Sequence, residues 1–191
     1  MTELSFFQNF DLAILNEVIG DFPTVCNIDP EILCMPEGRI DPLLVEVKTI
    51  FDSYGLLLPD GPFNLNIGAI RALERLCDAG LRHIYLSEHS CEASAPDKLK
   101  GLLNISATGN PQRIPLMGHD EYTIRFSDLV AVAEKKGYRT MRGSYCDFIR
   151  YDYTDRLHFI LTSGSQKDEH EIIRHFIEDL YTSEYLIATR E

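Results

Sequence analysis

The chain has 191 residues, of which 45% are hydrophobic and 25% charged, and 30 acidic against 18 basic residues give it a formal charge of −12. These fractions belong to a globular protein rather than a disordered one. The acidity excludes a general nucleic-acid binder, which needs clustered Lys and Arg. No apolar run approaches the roughly 20 residues of a membrane span, and the opening MTELSFFQNFDLAIL lacks the basic start and small-residue cleavage site of a signal peptide.

In chain order, Ser5 to Gln8 reads as a capping box, and Phe7, Phe10, Ile14 and Val18 recur at helical spacing up to a stop at Gly20. Asp29-Pro30 opens a short helical turn closed by Pro36 and Gly38. Asp41-Pro42 is a stronger start, an acid at the cap and proline at the first helical position. It leads a helix whose buried stripe is Leu43, Val47, Ile50 and Tyr54 and whose end is Gly55. A turn at Pro59-Asp60-Gly61 follows. Asn66 caps a helix over 67–78, and residues 81–86 form an apolar strand that gives way to a polar loop over 87–95. A short helix over 97–103 and a glycine- and proline-bearing connection over 106–118 complete the first part.

The C-terminal part reads as a strand over 122–126, a helix from Ser127 to Gly137, and strands over 138–141, 144–151 and 157–161. A helix over 167–182 and a last strand over 185–189 follow. The expected fold class is therefore α+β, in two regions. A helix-rich acidic region with at least one strand spans 1–118, and a ferredoxin-like βαββαβ antiparallel-sheet region spans 119–191. Such a fold does not choose a function by itself.

Charge is unevenly distributed. Residues 1–70 hold 11 acids against Arg39 and Lys48, a net of −9, whereas 71–118 sum to +1 and 119–191 to −4. Asp21, Asp29, Glu31, Glu37, Asp41 and Asp60 fall in turns or at helix starts, off the buried stripes. Acids at helix N-termini also complement the helix dipole. Together they form a candidate surface for a more basic protein partner, whose association would be fast and salt-sensitive.

Signatures of catalysis are sparse. The one compact reactive cluster is His83, Glu88, His89, Cys91 and Glu92, where Cys91 is a candidate nucleophile with His83 or His89 as base. His83, His89 and Cys91, with Cys77, also have metal-ligating side chains, but at spacings that match no short zinc motif. His119-Asp120-Glu121 reads as the opening of a strand rather than a chelate, and His170 and His175 are five apart, off a common helical face. No phosphate-cradling glycine motif, GxSxG elbow or HExxH helix occurs. The five cysteines lack CxxC spacing and read as free thiols in a reducing compartment.

The sequence thus predicts a cytoplasmic protein, monomeric or weakly dimeric, that uses no cofactor or metal and contacts neither nucleic acid nor membrane. Its expected role is to inhibit or regulate a more basic protein, as immunity proteins and nuclease inhibitors do. The alternative is a thiol-dependent enzyme built on Cys91. A third reading is a small-ligand sensor with a pocket lined by Tyr145, Tyr151 and Phe159.

Overall fold

Four strands pair into one mixed sheet in the order β1 (Leu12–Asn16), β4 (His83–His89), β8 (Ser183–Thr189) and β7 (Arg139–Ser144). β1 runs parallel to β4, and the other two pairings are antiparallel. This is a computed structural model, which describes residues 10–36, 41–149 and 151–191. Two hairpins lie outside the sheet: β2 (Val25–Ile28) with β3 (Phe63–Leu65), and β5 (Arg113–Pro115) with β6 (Asp120–Tyr122). The described helices are α1 (Pro30–Leu33), α2 (Pro42–Tyr54), α3 (Ile67–Asp78), α4 (Phe126–Lys135), α5 (Asp155–Thr162) and α6 (Asp168–Thr182). Among the described residues, no helix is long and apolar enough to cross a membrane.

Alternation along the strands gives the sheet two unlike faces. Ile84, Leu86, Leu186 and Ala188 point to one face, and they join Leu73, Leu129 and Val132 of α3 and α4 in the main hydrophobic core. The other face carries two rows read from the pairing register. Ile14, Tyr85, Ile187 and Met141 form one, and Asn16, Ser87, Tyr185 and Gly143 the next. Much of this face is open: Leu12, Ile14 and Met141 are each more than half exposed. A 3-10 turn at Tyr145–Asp147 brings Phe148 over it, 4.7 Å from the Tyr185 ring centroid. Gly143 makes room for this arrangement, since a Cβ there would lie 2.9 Å from the Tyr185 ring. A second, smaller apolar cluster (Leu99, Leu103, Leu161, Ile177, Leu180) joins α5 and α6 to the loop after β4.

Several expectations are corrected. The N-terminal part is not helix-rich, because strands run throughout it: the expected helix through Ile14 is strand β1. Leu12, Ala13, Ile14 and Leu15 satisfy period two as well as a helical spacing, and parallel pairing with β4 decides the choice. The capping box at 5–8 lies outside the described residues, as do Glu37 and Arg39. The C-terminal region also departs from βαββαβ: its order is β6-α4-β7-α5-α6-β8. Expected strand 157–161 is helix α5, started by Thr154, whose hydroxyl accepts the Leu157 N–H at 3.2 Å. Within expected strand 144–151, Ser144 ends β7 and Tyr145–Asp147 form a 3-10 turn, with Phe148 after it still in the right-handed helical region. The sheet therefore completes itself with β1 and β4 from the N-terminal side.

Candidate binding site at the carboxyl ends of β1 and β4

Parallel strands end together, and the backbone leaving them commonly frames a ligand crevice. Here β1 ends in Asn16-Glu17 and β4 in His89. Asn16 Oδ1 accepts from Ser87 Oγ at 2.9 Å and from Tyr145 OH at 2.7 Å, tying both strands to the 3-10 turn. Glu17 adopts φ +48, a left-handed conformation uncommon for a residue with a long side chain. Its N–H donates to the Ser87 carbonyl at 2.9 Å, which holds this turn in place. A cavity of about 420 Å³ opens beside it, lined by Glu17, His89, Tyr145, Phe176, Asp179 and Ser183 among others.

The electrostatics of this cavity are dominated by carboxylates. Glu88 is buried beneath it, accepting the Gly20 N–H at 3.1 Å and the His89 N–H at 3.0 Å. His89 Nδ1 is enclosed and lies 3.5 Å from Glu88 Oε1, an ion-pair distance at the limit of a hydrogen bond. The polar contact with Glu88 raises the His89 pKa above its ordinary value. Burial opposes this, and the charges of Glu88, Asp179 and Glu17 add to it. Neither Glu17 nor Asp179 has a lysine or arginine at ion-pair distance among the described residues.

On the covered face the neighbouring polar groups are mutually satisfied. Arg142 pairs with Glu184 at 2.6 Å and Glu92 at 3.0 Å. Ser90 donates to the same Glu184, and the Ser127 N–H at the start of α4 donates to Glu92 at 2.9 Å. This closed network fixes the sheet against α4 and leaves no charge free for a ligand.

The residues expected from sequence each sit in their own local setting. Asp21 pairs with His119 at 2.9 Å. Asp29 and Asp41 cap α1 and α2, accepting the Glu31 and Leu43 N–H groups at 2.9 and 2.8 Å. Glu31 lies in the first turn of α1 and Asp60 in the loop before β3, both exposed. Cys91 is buried and its thiol donates to the Ile124 carbonyl at 3.4 Å. Burial, reinforced by Glu92, pushes that thiol up to about 12. No imidazole contacts it among the described residues. His83 sits at the opposite end of β4 from His89, about 20 Å away at ~3.3 Å per residue. On the Cys91 thiol, the charge of Arg125 acts in the opposite direction but is outweighed by burial and Glu92.

Other groupings are equally distinct. Donor atoms of Asp21, His119 and Glu121 lie within 4.8 Å of one another and offer three ligands on the surface, with His119 already paired to Asp21. Tyr145 lines the cavity, but Tyr151 bonds Tyr181 in the second apolar cluster, and Phe159 is exposed and meets His170 edge-on. Sequence reasoning found His89 but missed Glu17, Asp179 and Ser183. The signal available was positional: each stands at the end of a strand or where a helix feeds one. The chain matches no protein-family model, and neither a curated protein nor a solved structure matches it.

Proposed function

We propose that this protein binds a more basic protein and inhibits or regulates it, in the manner of immunity proteins and nuclease inhibitors, through carboxylates of its N-terminal third. The observation that supports this reading is the state of those carboxylates. Glu17, Asp29, Glu31, Asp41, Asp52 and Asp60 are all exposed, and none has a Lys or Arg at ion-pair distance among the described residues. Among the described residues of this region, only Asp11 and Glu46 meet an arginine, Arg82 and Arg71 respectively. One exposed pair contributes about 0–1 kcal/mol, so the effect must come from many charges acting together. The reading places the protein in a reducing, cytoplasmic compartment, consistent with five free cysteines.

The test uses variants that spare the helix caps. A partner is captured from lysate at low salt and purified, and its affinity is then measured by calorimetry. Kd should rise steeply as salt increases from about 50 to about 300 mM, where screening shortens the reach of surface charge. Glu31→Lys, Asp52→Lys and Asp60→Lys together should weaken binding about tenfold or more with an unchanged melting temperature. A partner indifferent to salt and to this triple variant overturns the proposal.

A further inference from the structure

We propose that the cavity at the carboxyl ends of β1 and β4 receives one arginine side chain of the partner protein, with the open sheet face beside it as the landing surface. This rests on the reading that the partner is basic, and it names the anchoring contact, at a place apart from the α1 and α2 caps.

Charge comes first. Glu17 and Asp179 both line the cavity, and among the described residues neither meets a cation other than the His89 imidazole they share with Glu88. An anion would face these carboxylates at a loss, whereas a cation would be held between them. The walls then select the kind of cation. Phe176, Ile149 and Leu180 line the same space. A guanidinium is planar, weakly hydrated and able to lie against an aromatic face while its edge pairs with carboxylates. An ammonium keeps its water more firmly.

The surroundings favour a side chain carried on a protein over a free small molecule. Phe176, which lines the cavity, is 53% exposed, and Ile172, one turn earlier on α6, is 67% exposed. His89 and Ser183 are register partners two residues beyond the buried Ser87 and Tyr185, so the cavity lies on the same sheet face as the exposed Ile14 and Met141, with the half-exposed Phe148 over Tyr185 between them. A central charged anchor ringed by apolar surface is the usual make-up of a binding hot spot. Among the described residues, the titratable groups around the His89 ring are Glu88 on its own strand, Glu17 after β1, Asp179 on α6 and Tyr145 on the 3-10 turn. An arriving guanidinium competes with the imidazolium for the same carboxylates, so affinity should increase with pH as His89 loses its proton.

The experiment is amide-resolved NMR of the full chain titrated with four probes. These are an N-acetyl-arginine amide, its neutral citrulline counterpart, agmatine, and a short peptide with arginine between leucines. The arginine probe should shift the Glu17, His89 and Ser183 amides, and citrulline should not. The peptide should bind about tenfold more tightly than agmatine, because it adds the apolar rim. Glu17→Gln with Asp179→Asn should weaken both by about tenfold or more and leave the melting temperature unchanged. Equal binding of citrulline, agmatine as tight as the peptide, or full retention by the double variant each overturns the inference. A captured partner that binds the double variant at full affinity but fails on the triple lysine variant sinks the arginine pocket alone. Arginine binding with a salt-indifferent partner sinks the acidic-surface reading alone.

Discussion

Asp128 shows how one side chain can set a pH dependence. It is buried in the first turn of α4, and burial pushes its carboxyl up to about 6. Arg125 Nε, 3.7 Å away, pulls in the opposite direction but is outweighed. A folded-state pKa above the unfolded value of 3.8 means that folding favours the protonated acid. Its contribution to stability is thus fully present below about pH 4 and is lost as pH rises through about 6. The loss is about 3 kcal/mol at most, at ~1.4 kcal/mol per unit. Asp128→Asn should remove this slope: melting temperature relative to the parent should climb between pH 4 and pH 7. A fall over that interval would mean that the pair with Arg125 governs instead. Sequence alone could not reveal the group, since an acid in a first helical turn usually faces solvent and complements the dipole.

At the level of elements, legibility followed capping chemistry. Helices α1 and α2 stand where Asp-Pro pairs announced them, and both caps form as expected. Helix α3 begins at Ile67 as anticipated, but Asn66 makes no cap bond; its amide reaches Thr24 and the Thr123 carbonyl instead. The first turn of α3 is fixed by close approach rather than by a cap. The Gly68 N–H donates to the Pro23 carbonyl at 2.8 Å, and a Cβ on Gly68 would lie 2.7 Å from Phe22 Cβ and 2.8 Å from Pro23 N. Two backbone segments meet there with no flexible side chain to yield. Gly68→Ala should therefore destabilise by about 1–3 kcal/mol, read as a lower urea midpoint with unchanged slope. An unchanged midpoint would show that the loop at Phe22 moves aside. Elements misread from sequence, β1 and α5, are short apolar runs that fit either period; their identity depends on partners far along the chain, which no local window contains.

Taken as a whole, the molecule is a sheet protected on one side and partly open on the other, with uncompensated carboxylates spread over strand ends, helices and loops. That asymmetry was invisible in composition, because it depends on which register brings Ile14, Tyr85, Ile187 and Met141 into one row. The excess acid of the first seventy residues was legible. The cavity was not, since its walls come from the end of β1, β4, the 3-10 turn and its neighbour Ile149, α6 and the start of β8, with Glu17 and Ser183 166 positions apart, and only tertiary pairing joins them. β8, interior to the sheet beside β4, joins both halves, with Leu186 and Ala188 fully enclosed. A chain ending at Thr182 should accordingly lose cooperative unfolding and become protease-sensitive throughout. A sharp thermal transition in that truncation would mean that β1 and β4 form a stable unit with α3 and α4 alone.

The position of β8 also has a consequence for biosynthesis. Translation delivers the middle of the sheet after every other described element, so a nascent chain leaves β4 with one bare edge and β7 with no neighbour until residue 189 clears the ribosome exit. During that interval the emerging polypeptide presents hydrogen-bonding edges to any strand nearby. The speed at which β8 emerges, or a chaperone waiting at the tunnel mouth, would decide how much of the product reaches the native state.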